Sequence, residues 1–542
     1  MGRSTGWSGL IPNNSELELA MREQPEARLF PLYTTVLADV LTPVGMFAQI
    51  REQSTHAFLL ESVVGGEKIA RYSFLGFDPA LVVEASGQCL RVSRFRRGGP
   101  GQFGRGRGGQ LSVPRIEQTP CADPLRSAWE LVAGLPAYKA TYLPRFTGGL
   151  VGYIGYDTVR YVEAGKLGAG PEDDRGLPDL MLGLYDHMII FDHIDRIARV
   201  CLLLDVGRAA ERTRASVREA YSHACRRLEL FTRRVAKLAE SASSARLHSL
   251  PRHDYSAPVA YRSNRSRKRF EDMVCRALEY IRAGDIFQVV LSQRLRVQSE
   301  VDGLLIYRAL RSVNPSPFMF YLQSPAVTLV GASPEILCRV EDGTVTSRPL
   351  AGTIRRGRDA AEDARLAREL LESGKDRSEH IMLVDLHRND VGRVCQAGSV
   401  KITEQMVVEK YSHVMHISSE VQGRLAEGRT ALDALQAGLP VGTVSGAPKI
   451  RAMQIIDELE PHRRGPYGGA VGYFDFSGQM DTCIALRTMV LTRDAVGRQC
   501  IDVQVGAGVV AESDPAAEYE ETMNKGRAML RAIALAQAAE SS

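Results

Sequence analysis

Phe146-Thr-Gly-Gly-Leu-Val-Gly-Tyr-Ile-Gly-Tyr-Asp157 is echoed by Gly468-Gly-Ala-Val-Gly-Tyr-Phe-Asp475, so that GGxVGY occurs twice, 320 residues apart. The later copy reads as a strand, and the repetition points to related substructures in two halves of the chain, although one hexapeptide does not establish a duplication. Around the first copy, residues 24 to 95 mix one short helix, 43 to 51, with the strand-like runs Ala57-Phe-Leu-Leu-Glu-Ser62, Arg71-Tyr-Ser-Phe-Leu75 and Ala80-Leu-Val-Val-Glu84, a pattern of antiparallel β structure. A helix is expected at 123 to 135, strands between 180 and 205, and a long charged helix at 207 to 238. The Ala-, Ser- and Arg-rich 239 to 268 lacks apolar periodicity and reads as the connection between halves.

Around the second copy the pattern sharpens. A helix runs from Phe270 to Ala283 with Met273, Val274, Leu278 and Ile281 inward. Gly284-Asp-Ile-Phe-Gln-Val-Val-Leu-Ser-Gln-Arg294 turns it into a strand. Further helices are expected at 303 to 313, 430 to 438, 449 to 460 and from 515, with strands at 318 to 323, 327 to 331, 336 to 340, 400 to 409, 483 to 492 and 501 to 510. The resulting division is 24–205, a helical connection and linker at 206–262, and 263–535.

At 542 residues the chain is too long for one ordinary domain, so two large domains or one intertwined core is expected. No apolar run approaches the roughly 18 to 20 residues that span a bilayer, and the N-terminus has no signal core, so the cytoplasm is the expected location. Nine cysteines without a CxxC pair speak against a disulfide framework or a zinc site. The net charge of +4 owes everything to residues 94 to 110, which carry five arginines and no acid; without them the balance is −1 and no polyanion-binding footprint remains. That Arg/Gly-rich segment reads as a flexible hairpin insertion or, less economically, an RNA contact.

Chemistry concentrates in two places. In Arg348-Pro-Leu-Ala-Gly-Thr-Ile-Arg-Arg-Gly357 the donors Arg348, Thr353, Arg355 and Arg356 crowd a stiff turn suited to an anion. Just beyond it, Asp376 and Glu379 resemble a capping box with Asp376 as N-cap. In the second place, Val503-Gln-Val-Gly-Ala-Gly-Val-Val510 is a strand broken by Gly506 and Gly508, a sign of close backbone approach. The helix after it has Asp514 as N-cap, with Glu518, Glu521 and Lys525 along one face; solvated Glu–Lys pairing is the plain alternative. Carboxylates on two helix starts would suit Mg2+, a hard ion that keeps waters and shares an anionic substrate.

Gly284 to Arg294, Ser333-Pro-Glu, Arg348-Pro-Leu-Ala-Gly-Thr, Ser378-Glu-His-Ile-Met-Leu-Val-Asp-Leu-His-Arg-Asn-Asp390, Pro440-Val-Gly-Thr-Val-Ser-Gly-Ala-Pro-Lys449 and Gly506-Ala-Gly together resemble the chorismate-utilising enzymes, most closely the component I type of anthranilate synthase. The resemblance is continuous from about 263 to 535 and weaker from about 40 to 165. It implies an α+β fold of large antiparallel sheets packed as a sandwich and flanked by helices, with a regulatory N-terminal region and a catalytic region at 263–535. The implied reaction converts chorismate and ammonia to anthranilate and pyruvate.

By the same resemblance Glu379, Glu518 and Glu521 would hold Mg2+, Gly506 and Gly508 a carboxylate, and Tyr467 and Arg487 the enolpyruvyl carboxylate. Gly352, Thr353 and Thr443 would line the pocket with Lys525 beside it. Glu335 would be the general acid that protonates the leaving hydroxyl, and His416 would serve pyruvate elimination; His413 is read as structural. Gln288 stands where isochorismate and salicylate synthases carry lysine, and Ala351 where aminodeoxychorismate synthases, the alternative reading, usually do. Glu61, Ser62, Pro317, Phe318, Met319, Val471 and Tyr473 resemble a feedback pocket for tryptophan, with Arg71 less certainly aligned. Ending at 542 without an amidotransferase domain, the chain is expected to work with a separate glutamine amidotransferase subunit, as two large and two small subunits, with no nucleic acid or membrane partner.

Overall fold

The computed structural model describes residues 10–62, 71–95, 114–139, 143–242, 258–411 and 414–541. The Arg/Gly-rich segment from 96 onward, and His413, lie outside the described residues. Two antiparallel sheets of 13 and 12 strands, counted among those residues, pack face to face, with helices on their outer faces. The sandwich core between them holds Phe58, Phe320 and Leu329 of one sheet against Val151, Tyr153, Met181 and Cys483 of the other. Period-two alternation sends Leu59, Met319 and Tyr321 the other way, under helices Pro43–Arg51, Arg214–Ala242, Gly303–Val313 and Pro515–Ser541. No helix among the described residues is long and apolar enough to cross a membrane.

Neither sheet belongs to one half of the chain. In the larger sheet Ala57–Glu61 pairs with Phe318–Gln323, Glu61 opposite Met319. In the smaller, the two GGxVGY copies lie side by side: Gly149–Ile154 pairs with Ala470–Asp475, Gly152 opposite Gly472. The glycines are dictated by crowding, since a Cβ on Gly152 would lie 1.9 Å from the Met181 carbonyl oxygen and one on Gly472 2.0 Å from that of Asp481. Backbone cannot yield as a side-chain tip can. Gly152→Ala is therefore expected to destabilise the fold by about 3 kcal/mol or more, read as a lower urea midpoint.

The expected strand at 483 to 492 is two strands, Met480–Ile484 in the smaller sheet and Thr488–Arg493 in the larger. Its neighbour crosses likewise: Thr328–Ser333 lies in the larger sheet and Ile336–Glu341 in the smaller. The two corners are bonded to each other, Ile484 N–H to the Glu335 carbonyl (3.0 Å) and Ala332 N–H to the Arg487 carbonyl (3.2 Å). Arg487 turns its corner with φ +47°, in the left-handed region.

The stretch from Arg348 is corrected too. It is no turn: Leu350–Arg355 is a strand beside Val414–Arg424, with a register shift between Ala351 and Ile354. Nor are its arginines poised for an anion, because Arg348 meets Glu404 and Glu409 at 2.6 Å each, Arg355 meets Glu362 and Arg356 meets Asp363. Helices Asn14–Glu23 and Ala360–Glu372 were not anticipated.

Candidate active site

The sheet-switching corners put Glu335 and Arg487 side by side at the seam of the sandwich. Glu335 is 3% exposed and its Oε1 accepts from the Thr443 hydroxyl at 2.9 Å. Burial pushes its carboxyl up to about 8, partly offset by Thr443, the Leu350 amide, Arg487 and Lys525. It is thus a protonated acid at neutral pH. Thr443 is delivered by the tight turn Gly442–Val444.

Arg487 is half-buried, and among the described residues no carboxylate comes within ion-pair distance of it; its one side-chain hydrogen bond is a 3.5 Å contact to Asn314. Burial lowers its proton affinity, with Tyr411 and Glu335 the nearest opposing influences. Its place within the apolar run from Thr482 to Leu491 points to a buried, paired arginine; the side chain is partly buried, and no ion-pair partner is found among the described residues. A desolvated guanidinium without an anion is a site for one.

His416 closes the same space. Its Nδ1 is 2.8 Å from the Gly352 carbonyl and 3.1 Å from the Thr353 hydroxyl. A carbonyl only accepts, so Nδ1 carries the proton and Nε2 is left basic. Burial lowers its pKa to about 4, and the ring is neutral near pH 7.

The glycine strand Gln499–Val509 presents its amides outward. Opposite Gly506, Ser292 N–H bonds Glu460; opposite Gly508, Val290 N–H bonds the Ser445 carbonyl. Both pairs are therefore of the non-hydrogen-bonded kind, and the N–H groups of Gly506 and Gly508 point away from Gln288–Gln298. That edge is open, because Thr488–Arg493 stops pairing at Val503. A Cβ on Gly506 would meet the Tyr467 hydroxyl at 2.7 Å, and one on Gly508 the Gln288 amide at 2.8 Å. Two outward amides beside Tyr467 are donors that can hold a carboxylate.

Lys525 reaches over this edge, donating to the Gly506 carbonyl (3.1 Å) and pairing with Glu521 (2.7 Å), so it is more than a surface partner of Glu521. Asp514 does cap its helix, accepting from Ala517 N–H. Glu518 is 5% exposed; its Oε1 accepts from Ser513, while Oε2 is buried with no hydrogen-bond partner. The capping box at Asp376 is overturned: the cap of helix Gly374–Gly392 lies three residues earlier, at Ser373, which accepts from Asp376 N–H. Glu379 is therefore free of that duty, with Gln288 Nε2 3.5 Å away. Burial first, then Glu521 and Asp376, raise its proton affinity; Glu518 is raised by burial and by Glu521.

These carboxylates fit a divalent cation, the orphaned Glu518 oxygen above all, but as an incomplete set. Among the described residues no three His, Cys, Asp or Glu side chains converge at ligand distance. An ion here would draw its remaining oxygens from water and substrate, as Mg2+ does.

The residues that resemble a feedback pocket divide. Val471, Tyr473 and Phe318 lie in or against the inter-sheet core, where Tyr473 stacks on Phe146 at 4.0 Å. Met319 and Glu61 face the helical layer instead, and Glu61 already accepts from Tyr307 (2.6 Å) and pairs with Arg311 (3.2 Å). Ser62 Oγ is buried without a partner, Pro317 is buried in the turn just before Phe318, and Arg71 is tied to Asp192. Sequence reasoning missed Tyr411, whose ring lies 5.6 Å from His416, and the Glu460–Arg464 pair behind Tyr467. The i,i+4 spacing of that pair reads as an ordinary surface contact, and only its burial says otherwise.

A family model described as chorismate binding enzyme matches residues 103–531. The chain belongs to the chorismate binding enzymes. Within that family it is 43% identical over 507 residues to anthranilate synthase component 1 of Pseudomonas aeruginosa, covering 94% of this chain and 96% of that one. It is 44% identical over 511 residues to the same component of Thermus thermophilus, covering 94% and 99%. Among solved structures, anthranilate synthase component I of Streptococcus pneumoniae superposes with a TM-score of 0.65 at 33% identity, covering 91% of this chain and 99% of that one. The sandwich described above is thus the fold of this family of chorismate binding enzymes.

Proposed function

We propose that this chain is an anthranilate synthase large subunit, converting chorismate and ammonia to anthranilate, pyruvate and water. The observation that carries the reading is the pair at the sheet corners: a buried carboxyl group, pushed up to about 8 by its burial, beside a guanidinium that has no carboxylate partner among the described residues. Chorismate supplies two carboxylates and a poor leaving group, and the site offers a matching element for each.

In this reading Arg487 and the Tyr467 hydroxyl take the enolpyruvyl carboxylate, and the amides of Gly506 and Gly508 help hold the ring carboxylate. Mg2+ held by Glu379 and Glu518, with Glu521 close by, would neutralise that carboxylate and fix the ring. Glu335 gives its proton to the departing hydroxyl, which leaves as water while ammonia bonds to the ring. Neutral Gln288 cannot activate water as a lysine there could, and Ala351 offers no amine to attack the ring, so ammonia remains the nucleophile. His416 Nε2 then accepts a ring proton as pyruvate leaves and the ring becomes aromatic. The ammonia would come from a glutamine amidotransferase subunit in a cytoplasmic two-plus-two assembly, with tryptophan as the feedback ligand at the Ser62–Phe318–Tyr473 region.

The test mixes the purified protein with chorismate, Mg2+ and ammonium at alkaline pH and follows anthranilate fluorescence, with and without tryptophan. Absence of anthranilate would sink the reading. Arg487→Gln is expected to raise KM for chorismate by about 10²-fold, more than it lowers kcat, because a charge-assisted contact to the substrate is lost. Initial-rate kinetics separate the two constants.

A further inference from the structure

We propose that the buried Arg464–Glu460 ion pair is a positioning device for the reaction, holding the Thr443 turn against Glu335 and the Tyr467 ring beside Gly506. Neither residue reaches the substrate space. The inference rests on the assignment of Glu335 as general acid.

Arg464 is 2% exposed, and all three of its guanidinium nitrogens donate. Nε and Nη2 donate to Glu460 at 2.9 and 2.6 Å, Nη2 also donates to the Val290 carbonyl (2.7 Å), and Nη1 donates to the Val444 carbonyl (2.5 Å). Val444 directly follows Thr443, whose hydroxyl bonds Glu335. Val290 lies opposite Gly508 and two residues from Gln288. Glu460 in turn accepts from Ser292 N–H (2.7 Å) and Oγ (2.9 Å), opposite Gly506. The guanidinium also lies 5.7 Å from the Tyr467 ring and 4.6 Å from Tyr156. One pair thus ties together three separate walls of the site.

Such a buried pair is seldom explained by stability alone, since well-packed apolar residues commonly serve as well. What apolar residues cannot do is hold two backbone carbonyls at fixed points. The Thr443 hydroxyl, the Leu350 amide, Arg487 and Lys525 are the groups that face Glu335, and each favours its ionised form. Loosening the turn removes the first of them, so the acid should lose its proton at higher pH.

The experiment compares kcat against pH for wild type, Thr443→Val, Arg464→Lys and the double variant Glu460→Gln/Arg464→Gln, which leaves no unpaired buried charge and keeps amide donors and acceptors. We expect both Arg464 variants to lose at least about tenfold in kcat with KM little changed, as for misplacement of a catalytic group. Their alkaline limb should move to higher pH, as that of Thr443→Val does. A folded double variant with wild-type kcat, or one with reduced kcat and an unmoved limb, would overturn the proposal. Failure of the underlying reading looks different: wild type itself would make no anthranilate or show no alkaline limb.

Discussion

Glu335→Gln is expected to lower kcat by about 10³-fold while chorismate still binds, the usual scale for losing a general acid. Wild-type kcat should fall as pH rises through about 8, the value to which burial pushes this carboxyl, and the variant should show no such limb. Stability should fall in the same direction, starting from a lower pH. The folded value lies above the unfolded one, so between roughly pH 4.3 and about 8 the folded chain holds a proton that the unfolded chain has lost, and stability falls as pH rises through that window. Glutamine removes the titration. The variant should therefore melt higher than wild type at pH 8 to 9 and equally at pH 4, measured by differential scanning fluorimetry across pH. Unchanged turnover would remove Glu335 from the chemistry, and equal melting at pH 9 would mean that the carboxyl is not strained by its burial.

The second large effect concerns Glu518 and Glu379. Glu518→Gln and Glu379→Gln are each expected to lower turnover by about 10²-fold or more, since truncating a partner of a bound charge leaves the other uncompensated. Activity alone does not distinguish a metal ligand from a structural acid. The added readout is melting temperature against Mg2+ with chorismate present: an ion that binds only the folded state raises it, and the rise should vanish in both variants. Without Mg2+ the variants should melt no lower than wild type, because each removes a carboxylate whose ionisation burial and Glu521 oppose. A magnesium-dependent rise that survives in both variants would end the assignment.

Much of the fold was readable where local pattern decides. The helix at 303 to 313 fell on its observed bounds, Gly303–Val313, because an N-cap and an apolar stripe mark it. The glycines at 506 and 508 announced a backbone in use, and their amides do face an open edge. What stayed hidden depends on distant partners. A strand that leaves one sheet for another keeps its apolar alternation, so nothing in Thr482 to Leu491 marked the corner at Arg487. Arg348 looked like an anion site because Glu404 and Glu409, more than 50 residues on, do not show beside it in the sequence. Asp376 and Glu379 had capping-box spacing, and Ser373 took the cap instead. Only the packed structure distinguishes a carboxylate that caps a helix from one left to bind.

The strand seam between Ala57–Glu61 and Phe318–Gln323 also sets a clock. Glu61 pairs with a residue 258 positions later, and the GGxVGY copies wait longer still for each other. At roughly 5 to 20 residues per second of synthesis, the first half spends on the order of tens of seconds with strand edges unpaired. Folding of this topology is governed by such distant closures rather than by local helices, and is correspondingly slow. The nascent N-terminal half is thus a client for whatever shields open strand edges, until its own C-terminal half arrives to complete both sheets at once.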